Sequence, residues 1–191
     1  KSRSAERSGF SGQLSEVRQL NEIALEDSPR ISAGMDELDR VLGGGLVPGS
    51  AILLGGVREV NFTPTQINRL RQYVLDGGMI VCDSVYGSPW FYESALKVFD
   101  EMFPESRFRV LPPDHPLYHI SAEIEEVSYR SGGEGEKGKP FFEGLYIGSR
   151  IGVLVSKYGL GCGMAGEMEV FDQLEKKGLK PKAYSKESAR Q

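Results

Sequence analysis

The sequence lacks most of the features that would mark it for a membrane, a disulfide framework or nucleic acid. No apolar run approaches the ~20 residues of a spanning helix; the longest aliphatic stretch covers residues 51–54. Only two cysteines, Cys82 and Cys162, occur in 191 residues, with no Cys-x-x-Cys pair. They make neither a disulfide framework nor a four-cysteine zinc site, and they are too far apart in sequence to join His115 and His119 in a zinc knuckle. Basic residues do not outnumber acidic ones: 23 against 27, a net charge of −4. There is thus no broad positive field for phosphate backbones, and nucleic acid is not an expected partner. No signal peptide is visible. Because the chain opens on Lys1, it is expected to be a fragment or a processed chain. A cytoplasmic compartment is expected, with the periplasm the alternative if a leader has been removed. No metal and no cofactor is expected.

What is abundant is glycine, 24 residues, roughly twice average usage. Apolar residues make up 39% and charged residues 26%, the balance of a globular protein with one domain or one domain plus an appendage. Residues 1–31 are largely polar, with Leu14, Val17 and Leu20 as sparse apolar positions, and read as a poorly ordered arm. Met35, Leu38, Val41 and Leu42 share one helix face, with Ser32 near the start and Gly43, Gly44 and Gly45 as the stop. Pro48-Gly49 is a turn, residues 50–54 read as a buried strand, and Gly55-Gly56 closes it. Thr63-Pro64-Thr65-Gln66 carries three agreeing helix-start signals: a cap, a proline at the first position and a capping-box glutamine. Ile67, Leu70, Val74 and Leu75 follow as an apolar face. Residues 79–82 read as a parallel strand, and Gly87-Ser88-Pro89 starts a helix with Phe91, Ala95, Val98, Phe99 and Met102 inward. A third strand is expected at 108–111. The prolines of 112–116 preclude regular structure, and residues 131–140 read as a polar loop. Strands at 145–147 and 151–155 are joined by a hairpin at Gly148-Ser149-Arg150. A late helix is expected over 165–177. The tail from Lys176, with six basic residues and one acidic, reads as a solvated end.

This order of strands and helices predicts an α/β, mostly parallel sheet with helices on both faces, made mixed by the later strands. Residues 29–56 resemble the RadA family of bacterial RecA-like repair ATPases. The resemblance is carried by Pro29-Arg30-Ile31-Ser32 and by the run from Gly34 through Asp36, Glu37, Leu38, Asp39 and Arg40 to Gly43-Gly44-Gly45 and Pro48-Gly49-Ser50. It stops where that family's ATP-binding loop would begin: Val57-Arg58-Glu59-Val60 follows the strand, and no Gly-Lys-Ser/Thr occurs in the chain. A phosphate loop needs glycines to expose backbone N–H groups, a lysine for charge and a hydroxyl for Mg²⁺, so the ATPase activity does not carry over.

Residues 57–191 resemble an uncharacterised bacterial domain family whose fold is similar to class I glutamine amidotransferases. The carrying residues include Phe62-Thr63-Pro64, Leu70 to Val74, Gly77-Gly78-Met79-Ile80 with Asp83, Leu111-Pro112-Pro113-Asp114-His115-Pro116, Arg150 to Val153 and Ser156 to Cys162. The resemblance implies a three-layer flavodoxin-like or amidotransferase-like sheet. The expected organisation is therefore an arm at 1–31, a RadA-like segment at 32–56 and an amidotransferase-like domain at 57–191, with a fusion joined inside the first strand.

For chemistry, Cys82 is a weak nucleophile candidate. It ends a strand, but its neighbours are Val81 and Asp83 rather than the glycines of a nucleophile elbow, and the adjacent carboxylate opposes a thiolate. His115 is a weak catalytic candidate, with Asp114 capping a turn and His115 bonding to it as the local reading. Since ligands of open sheets bind beyond the carboxyl ends of strands, Asp83, Ser84, Asp114, His115, Ser156 and Cys162 form the expected ligand-binding set. His119 with Glu123 and Glu125 is a loose metal-like spacing. Trp90 and Tyr92 either cover the pocket edge or flank the sheet. The expected function is a non-catalytic binding or scaffold domain with an unidentified protein or small molecule as partner. The alternatives are a RadA-type repair protein, inactive as this fragment, and a hydrolase using Cys82 or His115.

Overall fold

The computed structural model describes residues 29–120, 123–130, 136–161, 176 and 181–189. Of the expected elements, residues 1–28 of the arm, Cys162 and nearly all of the 165–177 helix lie outside these.

The main sheet has five strands in the order β1-β2-β7-β6-β3. β1 (Ala51–Gly56), β2 (Met79–Ser84) and β7 (Arg150–Ser156) are parallel neighbours, and β6 (Phe142–Ile147) runs antiparallel to both β7 and β3 (Phe108–Val110). The sheet is therefore mixed, with one strand reversed. The hairpin forms where it is expected, with Ile147 opposite Arg150.

α2 (Pro64–Leu75) starts on the complete Thr63–Gln66 capping box. α3 (Pro89–Met102) starts with Pro89, and the Ser88 hydroxyl accepts from the Phe91 N–H. Leu70, Tyr73 and Val74 of α2 and Phe91, Ala95, Phe99 and Met102 of α3 pack with Ile80, Cys82, Val153 and Val155 in one core. Alternation along a strand sends Val81 and Leu154 to the other face, where they meet Leu111, Leu117, Tyr118 and Phe142. Both crossover helices thus share one face. Among the described residues the other face is covered by loop and strand side chains rather than by the expected helices.

The front segment joins the same core. Ile31 and Leu46 exchange both backbone hydrogen bonds, and Ala33 and Leu46 are fully buried. α1 (Asp36–Val41) turns Met35, Leu38 and Leu42 toward the core, but Val41, expected on that face, is 68% exposed. Ser32 is not the cap; its hydroxyl donates to Asp39 and braces α1 from outside. Gly43, Gly44 and Gly45 all have positive φ, as a left-handed helix stop requires. Gly55 and Gly56 belong to β1 rather than closing it.

A second sheet, in the order β5-β4-β8, is built from β4 (Val127–Arg130), β5 (Glu136–Gly138) and β8 (Ala183–Tyr184), with α4 (Lys186–Ala189) against it. Two expectations are corrected here. Part of the polar loop at 131–140 is a strand, and the basic tail is not a solvated end: Ala183 and Tyr184 are 1% and 3% exposed. Burial of an aromatic edge by Tyr129, Tyr158 and Tyr184 outweighs the local charge of the tail. No helix among the described residues is long and apolar enough to cross a membrane.

Candidate functional site

The carboxyl ends of the three parallel strands place Gly55, Asp83 and Ser156 in one row, with Gly56 beside Ser84 in the next. Asp83 is 2% exposed, and both its oxygens are occupied. Oδ1 accepts from the Leu160 N–H and Oδ2 from the Gly161 N–H, each at 2.7 Å. Burial raises the carboxyl's pKa, and the two N–H groups only partly offset it. The Ser156 hydroxyl, also buried, donates to the Tyr158 carbonyl at 2.6 Å. Ser84 is fully buried, and its hydroxyl has no hydrogen-bond partner among the described residues. These three residues come together, but as a sealed strand end that holds the 158–161 segment.

Cys82 points the other way, into the α2–α3 core. Burial and then the Asp83 charge push its thiol up to about 12. A thiol so protonated is a packing group, since the thiolate is the nucleophile.

His115 does not join this strand end. Its Nδ1 accepts from the Leu117 N–H at 3.1 Å, capping the 3₁₀ turn Pro116–Tyr118. That leaves Nε2–H to donate to the Tyr146 hydroxyl at 3.0 Å. Tyr146 pairs with Ile151, near the amino end of β7, far along the strand from Ser156. The expected bond from His115 to Asp114 is replaced by the tyrosine, and Asp114 is exposed on the turn. His119 pairs with Glu123 at 2.6 Å and with the Pro113 carbonyl, which raise its pKa in that order. Among the described residues no three His, Cys, Asp or Glu side chains are placed to hold a metal ion.

Sequence reasoning missed the aromatic and cationic surface around the strand end. Lys157, directly after β7, lies over the Tyr92 ring at 5.4 Å and the Phe141 ring at 5.8 Å. The Tyr92 hydroxyl donates to Glu143, and burial followed by that carboxylate pushes its pKa well up. Lys182 lies over Tyr129 and Tyr158 at 4.9 and 4.8 Å and pairs with Glu136 at 2.9 Å. Phe142 stacks on Tyr184 at 5.8 Å and 11°. No local spacing signals this cluster, because its members come from α3, β4, β6, the exit of β7 and β8. Of the expected aromatic pair, Tyr92 belongs to the cluster, while Trp90 stands 52% exposed on α3.

These features define a mixed α/β domain whose strand end is closed by its own backbone and ringed by tyrosines and lysines. Residues 50–190 match the family described as a domain of unknown function, DUF4159, and the chain belongs to that family. A separate likeness is to proteins named DNA repair protein RadA. The Haemophilus influenzae protein is 54% identical over 57 residues, 29% of this chain and 12% of that protein. The Salmonella typhimurium protein is 59% identical over 51 residues, 26% and 11%, and the Brucella abortus protein 66% over 32 residues, 17% and 7%. The chain thus spans about a tenth of the length of these relatives. Both sequence resemblances, to a domain of unknown function and to a RadA segment, are borne out.

Proposed function

We propose that this chain is a non-catalytic binding or scaffold domain. The observation that carries the reading is the use of Asp83: both carboxylate oxygens are spent on the Leu160 and Gly161 backbone. The carboxyl is buried and turned to the chain's own backbone, so it is not presented to a substrate. The buried, protonated Cys82 and the structurally bonded His115 support the same reading. The partner meets the Lys157 and Lys182 surface, where cations lie over tyrosine rings. We further read the fold as a degenerate relative of flavodoxin-like and class I amidotransferase-like sheets, and the chain as a fusion in which a RadA-like front supplies the approach to β1.

Peptide-resolved iodoacetamide labelling tests the non-catalytic reading. Cys82 should react in the folded protein no faster than global opening allows. Rapid modification at neutral pH would restore the hydrolase reading. The RadA-type alternative rests on the similar front segment and is tested by calorimetry with Mg²⁺–ATP, with and without single-stranded DNA. No heat is expected, and micromolar binding would make the repair reading lead.

A further inference from the structure

We propose that β1 pairs antiparallel with β1 of a second copy of this chain, about a two-fold axis at Leu53, joining the two five-stranded sheets edge to edge. The inference does not depend on the binding role given to Lys157 and Lys182. β1 is the outermost strand of its sheet and pairs only with β2 among the described residues. The Met79 N–H donates to the Ser50 carbonyl, and 51–56 pair in register with 79–84. Backbone groups alternate in direction along a strand, so Ile52, Leu54 and Gly56 turn theirs to β2. Ala51, Leu53 and Gly55 turn theirs outward, to the free edge. Such a row of N–H and C=O groups is a template for another strand.

Symmetry, charge and area together select a second copy. The outward residues are symmetric about Leu53. Pairing β1 with itself sets Leu53 opposite Leu53 and Ala51 opposite Gly55, and each pair exchanges both N–H···O=C bonds. The same axis matches the faces. Ile52 and Leu54, half-buried against the core, meet Leu54 and Ile52 of the second copy on the helix side. A slip of one residue would set core-side against solvent-side positions. Each copy carries a net charge of −4, so two copies meet best through a surface without ionisable groups. β1 is Ala-Ile-Leu-Leu-Gly-Gly, and the groove of about 420 Å³ beside it is lined by apolar side chains, Met35, Leu38, Leu42 and Phe62 among them. Leu53, 66% exposed in one chain, is covered by its counterpart. A six-residue strand is about 20 Å long and a sheet edge with one helix layer about 20 Å deep, so the contact is about 400 Å² per copy, half the ~800 Å² of a standard interface. The dimer is therefore weak and concentration-dependent, and salt strengthens it by screening the like net charges.

Sedimentation equilibrium of the full chain tests this. The chain should be monomeric near about 1 µM and largely dimeric by about 1 mM. Leu53→Lys sets two like charges opposite each other and should abolish the dimer with circular dichroism unchanged, since Leu53 is exposed in the single chain. In a Cys162→Ser background, Leu53→Cys should oxidise to a 53–53 linkage between chains, because the paired Cα atoms lie about 5.5 Å apart. Ala51→Cys should link at least about tenfold more slowly, because in this register two copies of residue 51 lie about 14 Å apart. A monomer at every concentration would overturn the proposal, as would a Leu53→Lys variant that dimerises like the wild type or two cysteine variants that link equally fast. So would β1 amides protected from hydrogen exchange in the monomer, which would mean that the chain covers its own edge.

Discussion

Asp83 ties the end of β2 to Leu160 and Gly161 with two backbone N–H hydrogen bonds. Asp83→Ala leaves two buried N–H groups without acceptors and should cost about 2–4 kcal/mol, read by urea unfolding. The pH dependence has a definite sign. The folded-state pKa is raised by burial, so the folded state holds a proton that the unfolded state has released. Asp83's contribution is thus fullest below its unfolded pKa, about 4, and declines as pH rises through the folded value. The gap between wild type and Asp83→Ala should narrow from acid to neutral pH; a widening gap would show that the N–H bonds outweigh burial. Ser84 behaves oppositely. Its hydroxyl is buried without a partner among the described residues, so Ser84→Ala should be neutral or stabilising by up to about 1 kcal/mol. Loss of stability in that variant would show that the hydroxyl has a partner.

At the scale of elements, the turn after β2 is held by the incoming chain of the second sheet. The Lys182 N–H donates to the Tyr86 carbonyl, and Gly87, at φ 69°, packs where a Cβ would lie 2.5 Å from the Lys182 carbonyl. Gly87→Ala should therefore cost at least about 2 kcal/mol and release β8, seen as faster exchange at 183–184. Elements that announce themselves locally were legible in the sequence: the Thr63–Gln66 box, Pro89 after Ser88 and the hairpin at Gly148 all stand where local signals put them. The second sheet was not. β5 and β8 are three and two residues long, too short for alternation to register, and β8 is remote in sequence from its partner β4. The candidate site divided in the same way. Residues at strand ends could be chosen from sequence, but His115 turned back to Tyr146 because that phenol is supplied by a distant strand.

For the whole molecule, the RadA-like front and the family domain share one core. Leu46, from the front, is fully buried with Leu70 and Phe99. Leu46→Ala should cost about 2–5 kcal/mol and move a single unfolding transition rather than split it. Two separated transitions, followed by calorimetry and by near-ultraviolet signals, would mean that the front unfolds alone. The order β1-β2-β7-β6-β3 also bears on biosynthesis. β2 and β3 are made early, yet the hairpin that must lie between them ends only at Ser156. At the usual rate of elongation a ribosome takes roughly 4–15 s to travel from the end of β2 to the end of β7. Throughout that interval the nascent chain presents β2 with one apolar edge open, and its final sheet cannot close until the last of its strands is threaded into the middle.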